Sequence, residues 1–415
     1  MNKRIFQDVA VTKDNPNWEK LTSRQSQLYS REDDIRSPFA RDYTRVLHSM
    51  AYRRLKHKTQ VFFNIDNDHI CTRMEHVSHV DSVSSTIAKE LGLNDELTKA
   101  IAMAHDLGHA PFGHQGETVI RGISKKYLKK DFWHEQNGLR FVDKIELLED
   151  NYKVKKNLDL TYAVRDGIIS HCGEVDENGL MPRDISISID DFDEAGKFQA
   201  ATWEGCIVKM ADKIAYVGRD IEDAITLGIL DQTAQNELVK MARFHDQNAV
   251  NTTVIMHNMI IDICQNSSPD KGIILSAKLN KQLKEIKDFN YNHIYKHPRL
   301  NPYIQYSELV ITQLFEALND LYDAKHTWDG LAINKRYAPI LFSSFELWLS
   351  KYCDSSIVPV GSLKEESLKC ENEKIYRKLE TKELYIQAII DYISGMTDRF
   401  AIAAFNELLQ FGIHG

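Results

Sequence analysis

The sequence predicts an all-α fold, and three observations carry that expectation. Apolar residues recur at steps of three and four in two long stretches, His76 to Leu91 and Trp203 to Leu227. Strand-like alternation is confined to Ile185-Ser-Ile-Ser-Ile-Asp190, too short to build a sheet on, and the 415 residues include only nine prolines to interrupt helices. Length allows a large core and leaves the number of domains open.

Taken in order, residues 1–34 read as an N-terminal extension. Met1-Asn-Lys-Arg-Ile-Phe-Gln-Asp8 turns polar before any apolar run of signal-peptide length, and no stretch approaches the roughly 20 apolar residues of a membrane span. A cytoplasmic protein without a membrane partner is expected. The six cysteines lack Cys-x-x-Cys spacing and read as buried, reduced thiols. A net charge of −8 argues against a protein that coats nucleic acid over its whole surface. Between Arg41 and Lys58, however, Arg41, Arg45, Arg53, Arg54, Lys56 and Lys58 face a single acid, Asp42. Such a segment suits a compact anion; the competing reading is a solvated helix face.

The stripe Val77, Val80, Val83, Ile87 and Leu91 marks an amphipathic helix beginning near His76. Asn94-Asp-Glu reads as the cap and acidic first turn of the next helix, which runs through Leu97, Ile101 and Ala104 to His105 and stops at Gly108. Gly108 to Gly116, with Pro111 and Gly113 between, predicts a tight loop presenting His109 and His114, and a new helix starts near Glu117. From Trp203 to Leu227, the residues Ile207, Met210, Ile214, Val217, Ile221 and Ile225 form a core stripe. Asp212, Tyr216, Arg219 or Asp220, and Asp223 share the opposite face. Beyond residue 230 the pattern stays helical, with a break at His297-Pro-Arg-Leu-Asn-Pro302 and a charged stretch from Lys364 to Lys382. Residues 35–230 therefore carry the chemistry. Residues 231–415 are helices that complete a pocket or mediate assembly, with no signal demanding a separate domain.

His105-Asp106 is an adjacent imidazole and carboxylate at a helix end, and such a pair binds a divalent ion only when other turns add ligands. His76 on the preceding helix and Asp212 on the later one complete a two-imidazole, two-carboxylate set that leaves positions for water and a phosphate oxygen.

The stretch Ala104-His-Asp-Leu-Gly-His-Ala-Pro-Phe-Gly-His-Gln-Gly-Glu117 closely resembles the signature of deoxyguanosine triphosphate triphosphohydrolases within the HD-domain superfamily. Upstream, Ser37-Pro-Phe-Ala-Arg-Asp-Tyr-Thr-Arg-Val-Leu-His-Ser-Met-Ala-Tyr-Arg-Arg-Leu55, Lys58-Thr-Gln-Val-Phe62 and Thr72-Arg-Met-Glu-His76 resemble that family's motifs, as does Met210-Ala-Asp-Lys-Ile-Ala-Tyr216 downstream. Together they span about half the chain; the C-terminal third offers only Tyr295-Lys-His-Pro-Arg299. The resemblance implies an HD-type helical core with additional C-terminal helices. It implies hydrolysis of a dNTP substrate to deoxynucleoside and triphosphate, with His76, His105, Asp106 and Asp212 holding the metal. His114 matches the catalytic histidine, Glu117 its acidic partner and His134, in Phe132-Trp-His-Glu-Gln136, a second active-site histidine. Arg73 and Lys213 are implied phosphate contacts, Tyr216 and Asp220 sugar contacts, and Arg54 belongs to a segment near sugar or base. There Lys56-His57 replace the family's usual Gln-Gly, which leaves the base open. The metal is left open among manganese, magnesium, iron, cobalt, nickel and zinc, and relatives imply a homo-oligomer with a dNTP or single-stranded DNA effector. Competing readings are a nucleotidase or signalling-nucleotide phosphodiesterase of the same superfamily, and a non-catalytic nucleotide or nucleic-acid binding protein.

Overall fold

The computed structural model describes residues 4–26, 33–62, 67, 69–150, 152–172, 178–245 and 252–410. Helices dominate it. Those that frame the site are α1 (Pro38–His48), α2 (Arg73–Leu91), α3 (Asp95–Ala104), α4 (Gly113–Leu128), α5 (His134–Arg140), α6 (Tyr162–Ser170), α7 (Trp203–Thr226), α8 (Ala277–Asn290), α9 (Asn301–Asn319), α10 (Lys382–Ser394) and α11 (Asp398–Leu409). No helix among the described residues is long and apolar enough to cross a membrane.

Local chemistry sets the ends of the central helices. Thr72 and Glu75 form a reciprocal capping box at the start of α2, satisfying two of its unpaired amides, and Gly92 closes it in the left-handed conformation at φ 87°. Asn94 accepts from Glu96 and Leu97 to start α3, and Thr202 accepts from Gly205 to start α7. α2 packs on α3 and α7, α1 on α3, α5 on α6, and α8 on α7; α9 and α10 both lie against α4. The apolar stripe of α7 is divided between two cores: Val208, Ala211 and Ala215 join one, Ile207, Met210, Ile214 and Val217 the other. This division leaves a polar face of α7 between them.

The N-terminal segment is laid across this frame. The Phe6 ring is fully buried edge-on to Trp203, centroids 5.0 Å apart, and its amide donates to the Leu91 carbonyl at 3.0 Å. The Val11 amide donates at 3.0 Å to the buried Glu204 carboxylate.

Two sequence expectations change. The helix expected near Glu117 begins at Gly113, because Phe112 (φ 62°) and Gly113 (φ 59°) turn the chain through the left-handed region just before it. Gly116 sits inside α4 because a Cβ there would lie 1.8 Å from the Pro111 carbonyl oxygen. The alternating stretch after Arg183 forms a turn and the 3-10 segment Ile189–Asp191, capped by Ser188. The one sheet among the described residues is a small antiparallel ribbon instead, Leu147–Glu149 with Lys155–Asn157, in register Leu148 to Lys156.

The second change concerns the basic segment, much of which is neither a solvated face nor an open anion site. Arg41 pairs with Asp34 at 2.5 Å, the buried Arg45 stands 3.7 Å from Asp159, Arg54 pairs with Glu146, and the buried Lys58 donates to the His109 carbonyl. Among the basic residues and histidines of that stretch, His48, Arg53, Lys56 and His57 are exposed.

Candidate metal and phosphate site

A cavity of about 500 Å³ opens above the polar face of α7, and its lining includes Arg73, His76, Asp106, His109, His114, His134, His171, Asp212, Tyr216 and Asp220. That volume suits a ligand of nucleotide size. The C-terminal part supplies Asn290, Tyr291, Tyr295, Leu300, Tyr303 and Ile304 to the same wall.

At its floor, His76 Nε2 lies 2.9 Å from Asp212 Oδ1, and His105 Nε2 lies 3.5 Å from Asp106 Oδ1 and 3.9 Å from Asp212 Oδ1. α2, α7 and the 3-10 turn His105–Gly108 that ends α3 bring these four side chains together. Whether they fit a cation is decided by protons. His105 Nδ1 meets the Ala102 carbonyl at 2.7 Å, which assigns the proton to Nδ1 and leaves a lone pair on Nε2. Nε2 is fully buried with no hydrogen-bond partner among the described residues, yet two carboxylates face it. Lone pairs converging in a buried place call for a cation, so the donor set fits a divalent metal. His76, His105 and Asp212 form one compact group able to hold an ion, and His105, Asp106 and His171 form another.

The surroundings set the charges. Burial disfavours ionised Asp106, but His109, His105 and Arg73 outweigh it and hold its carboxyl well below the usual range. Burial likewise opposes Asp212, which His76 keeps ionised. Arg73, 1% exposed, donates through Nη1 to Asp106 Oδ2 at 3.0 Å, while its Nε and Nη2 are buried without partners among the described residues. Two guanidinium donors at the edge of a cavity are an anion subsite in chemical terms.

On the opposite wall, His134 Nδ1 lies 3.0 Å from Glu117 Oε2 and 3.6 Å from Glu135 Oε2. Burial works against its charge, but Glu135 and Glu117 prevail and push its pKa up to about 10. Glu117, buried, is drawn down to about 2 chiefly by His134 against the cost of burial. His134 stacks on His109 with centroids 3.8 Å apart, and burial beside Arg73 and His134 keeps His109 neutral. His114 is the most open of the group, 54% exposed, with Nδ1 3.9 Å from Glu117. Because α4 starts at Gly113, His114 and Glu117 are both helical and stand at i and i+3, so they lie on one side of it.

On α7, Asp220 rather than Arg219 faces the cavity; Arg219 turns to Glu222 at 2.8 Å. Burial pushes the Asp220 carboxyl up to about 7 although Tyr295 donates to it. Two expected contacts stand elsewhere. Arg54 is held by Glu146 and lies over the Phe141 ring, and Lys213 is buried without lining the cavity.

Several cavity residues carried no decisive sequence signal. His171 ends α6, with Nδ1 2.7 Å from the Ile168 carbonyl, and burial together with His105 and His134 lowers its pKa to about 3. Its neighbours Ser170 and Cys172 form no ligand motif with it, so only tertiary packing reveals it. Gln60, with a buried Oε1 lacking a partner among the described residues, follows Lys58-Thr in one of the matched motifs, and Tyr295 opens the one C-terminal match. His109 was legible as part of the central motif.

The HD domain family matches residues 73–217, and the phosphohydrolase-associated domain matches residues 273–326 and 363–407. Among curated proteins, a deoxyguanosinetriphosphate triphosphohydrolase-like protein of Desulfatibacillum aliphaticivorans is 36% identical over 295 residues, covering 70% of this chain and 76% of that protein. A protein of the same description from Caldanaerobacter subterraneus is 34% identical over 305 residues, 72% of this chain and 78% of its own. The Clostridium tetani counterpart is 30% identical over 379 residues, 91% and 87% of the two chains.

Proposed function

Because the chain belongs to the deoxyguanosinetriphosphate triphosphohydrolase-like family of HD-domain proteins, we propose that it hydrolyses a deoxynucleoside triphosphate between the 5′-oxygen and the α-phosphorus, releasing deoxynucleoside and intact triphosphate. The observation that carries this reading is the buried His105 lone pair facing Asp106 and Asp212, with two uncommitted Arg73 nitrogens beside it.

In this reading His76, His105, Asp106 and Asp212 hold the metal. When bound, a divalent cation supplies charge neutralisation at the α-phosphate and acidifies a water molecule. Imidazole and carboxylate donors accept manganese, iron, cobalt, nickel or zinc, and magnesium can arrive with the triphosphate. Arg73 takes phosphate oxygens through Nε and Nη2 while its bond to Asp106 fixes the plane of the fork.

One P–O bond forms to the water oxygen, the P–O5′ bond breaks, and the departing alkoxide takes a proton. In this reading His114, with Glu117 3.9 Å from its Nδ1, delivers that proton, and the His134 imidazolium behind them keeps the wall positive where negative charge develops. Tyr216 packs against the deoxyribose, leaving little room for a 2′-hydroxyl, and Asp220 with Tyr295 meets the sugar hydroxyl.

The test is product analysis. Each dNTP, alone and mixed, is incubated with the protein and manganese or magnesium and followed by phosphorus NMR. Tripolyphosphate with deoxynucleoside is expected; monophosphate with pyrophosphate, or orthophosphate alone, refutes the proposal.

A further inference from the structure

Far from the metal ligands in sequence, one buried carboxylate ties together the two segments that flank the cavity. Asp398, in the first turn of α11 and 5% exposed, accepts at Oδ2 from the Thr59 amide at 3.0 Å and the Thr59 hydroxyl at 2.6 Å. Its other oxygen accepts from the Phe112 amide at 2.9 Å. Phe112 is the residue before α4 and stands at φ 62°, a conformation that side chains with a Cβ rarely adopt. No side chain of its own caps α4. Beside this junction, Lys58 Nζ donates to the His109 carbonyl and, at 3.1 Å, to the carbonyl of Ser394 at the end of α10. The Lys58 carbonyl in turn accepts from the Arg73 amide at 3.0 Å. The layers are in close contact: a Cβ on Gly113 would lie 3.2 Å from the Gln60 carbonyl and 3.3 Å from Arg73 Nη2.

We propose that Asp398 is a positioning residue of the active site, fixing through Phe112 and Thr59 the relative placement of His114 on α4 and Arg73 on α2. The proposal rests on the reaction proposed above. Asp398 touches neither substrate nor metal ligand. It acts because a buried carboxylate accepting three hydrogen bonds resists displacement, and both groups it holds lead within two residues to cavity side chains: Phe112 to His114, and Thr59 to Gln60 and, through the Lys58 carbonyl, to Arg73. An amide at this position turns one acceptor into a donor facing an N–H or O–H group, leaving a buried donor unmatched and freeing the Phe112 turn.

The experiment compares Asp398→Asn, Thr59→Val and Thr59→Ser with the native chain, measuring kcat, KM, metal per chain and amide hydrogen exchange. For Asp398→Asn, kcat should fall by about 10- to 100-fold, the range a small misplacement of reacting groups produces. KM and metal content stay within about twofold of native values, and the Phe112 and Thr59 amides exchange faster. Thr59→Val should show the same split in weaker form, and Thr59→Ser should recover native kcat. Native kcat in Asp398→Asn, or a loss that parallels loss of metal or folded protein, overturns the proposal. If Asp398→Asn fails to fold, native kcat and native Phe112 exchange in Thr59→Val overturn it. If the native chain releases no tripolyphosphate, the proposed reaction falls by itself. The clamp is then decided by exchange alone: faster Phe112 exchange at native metal content upholds it, and unchanged exchange refutes it.

Discussion

His105 Nδ1 donates its hydrogen bond to the Ala102 carbonyl, so the other ring nitrogen offers a lone pair to whatever Asp106 and Asp212 surround. Asp106→Ala should therefore lose bound metal by elemental analysis. Turnover should drop by more than the roughly 10- to 100-fold cost of removing an outer partner of a metal site. His134 gives a different handle. Its folded pKa, about 10, lies above the ordinary 6.5, because Glu135 and Glu117 outweigh the burial that opposes its charge. A raised pKa means this contribution to stability is fully present below about pH 6.5 and is lost as pH climbs through about 10. Urea unfolding of the native chain should thus weaken between pH 7 and 10, and His134→Gln should flatten that slope; equal slopes would contradict the charged His134.

At the scale of elements, the capping box on α2 and the bare backbone of Gly108 do the placing. Thr72→Ala removes the cap beside Arg73, one turn before His76, and should cost about 1 kcal/mol in chemical denaturation. Gly108 allows the 3-10 turn to touch α5, since a Cβ there would lie 2.0 Å from the His134 carbonyl and 2.1 Å from the Gly138 amide. Gly108→Ala should reach or exceed the roughly 1–3 kcal/mol typical of overpacking, measured as a fall in the urea midpoint. These elements also show what the sequence conveys. The starts of α3 and α7 were readable from Asn94 and from the apolar spacing after Trp203, because caps and stripes are local. Arg54 was misread because the acid that claims it, Glu146, is 92 positions away. The start of α4 was misplaced because Gly116, taken for a loop residue, answers to the Pro111 carbonyl. His171 stayed hidden because only the packing of α6 against α3 and α7 brings it to the cavity.

For the whole molecule, ties between distant parts predict shared fate. Arg140 on α5 pairs with Asp391 of α10 at 2.6 Å, and the same carboxylate accepts from the Tyr376 hydroxyl at 2.8 Å. Asp391 is fully buried, so Asp391→Ala leaves a guanidinium without its partner and should cost about 3 kcal/mol. Tryptophans stand near both ends of that tie: Trp133 immediately precedes α5, and the Trp348 ring lies 5.6 Å from that of Tyr392 on α10. Fluorescence and far-ultraviolet dichroism should then report a single coincident transition for the native chain and for Asp391→Ala. Two separated transitions would show that the parts unfold independently.

The placement of Phe6 bears on how the protein can be handled. A recombinant version started at residue 35 would lack the ring that fills the space against Trp203, would leave the Leu91 carbonyl without its amide donor and would leave the Glu204 carboxylate with the Asn94 amide but not that of Val11. Such a trimmed chain should expose an oily slot, clump during purification and bind apolar dyes, so fusion partners belong ahead of Met1 rather than in place of the first turns.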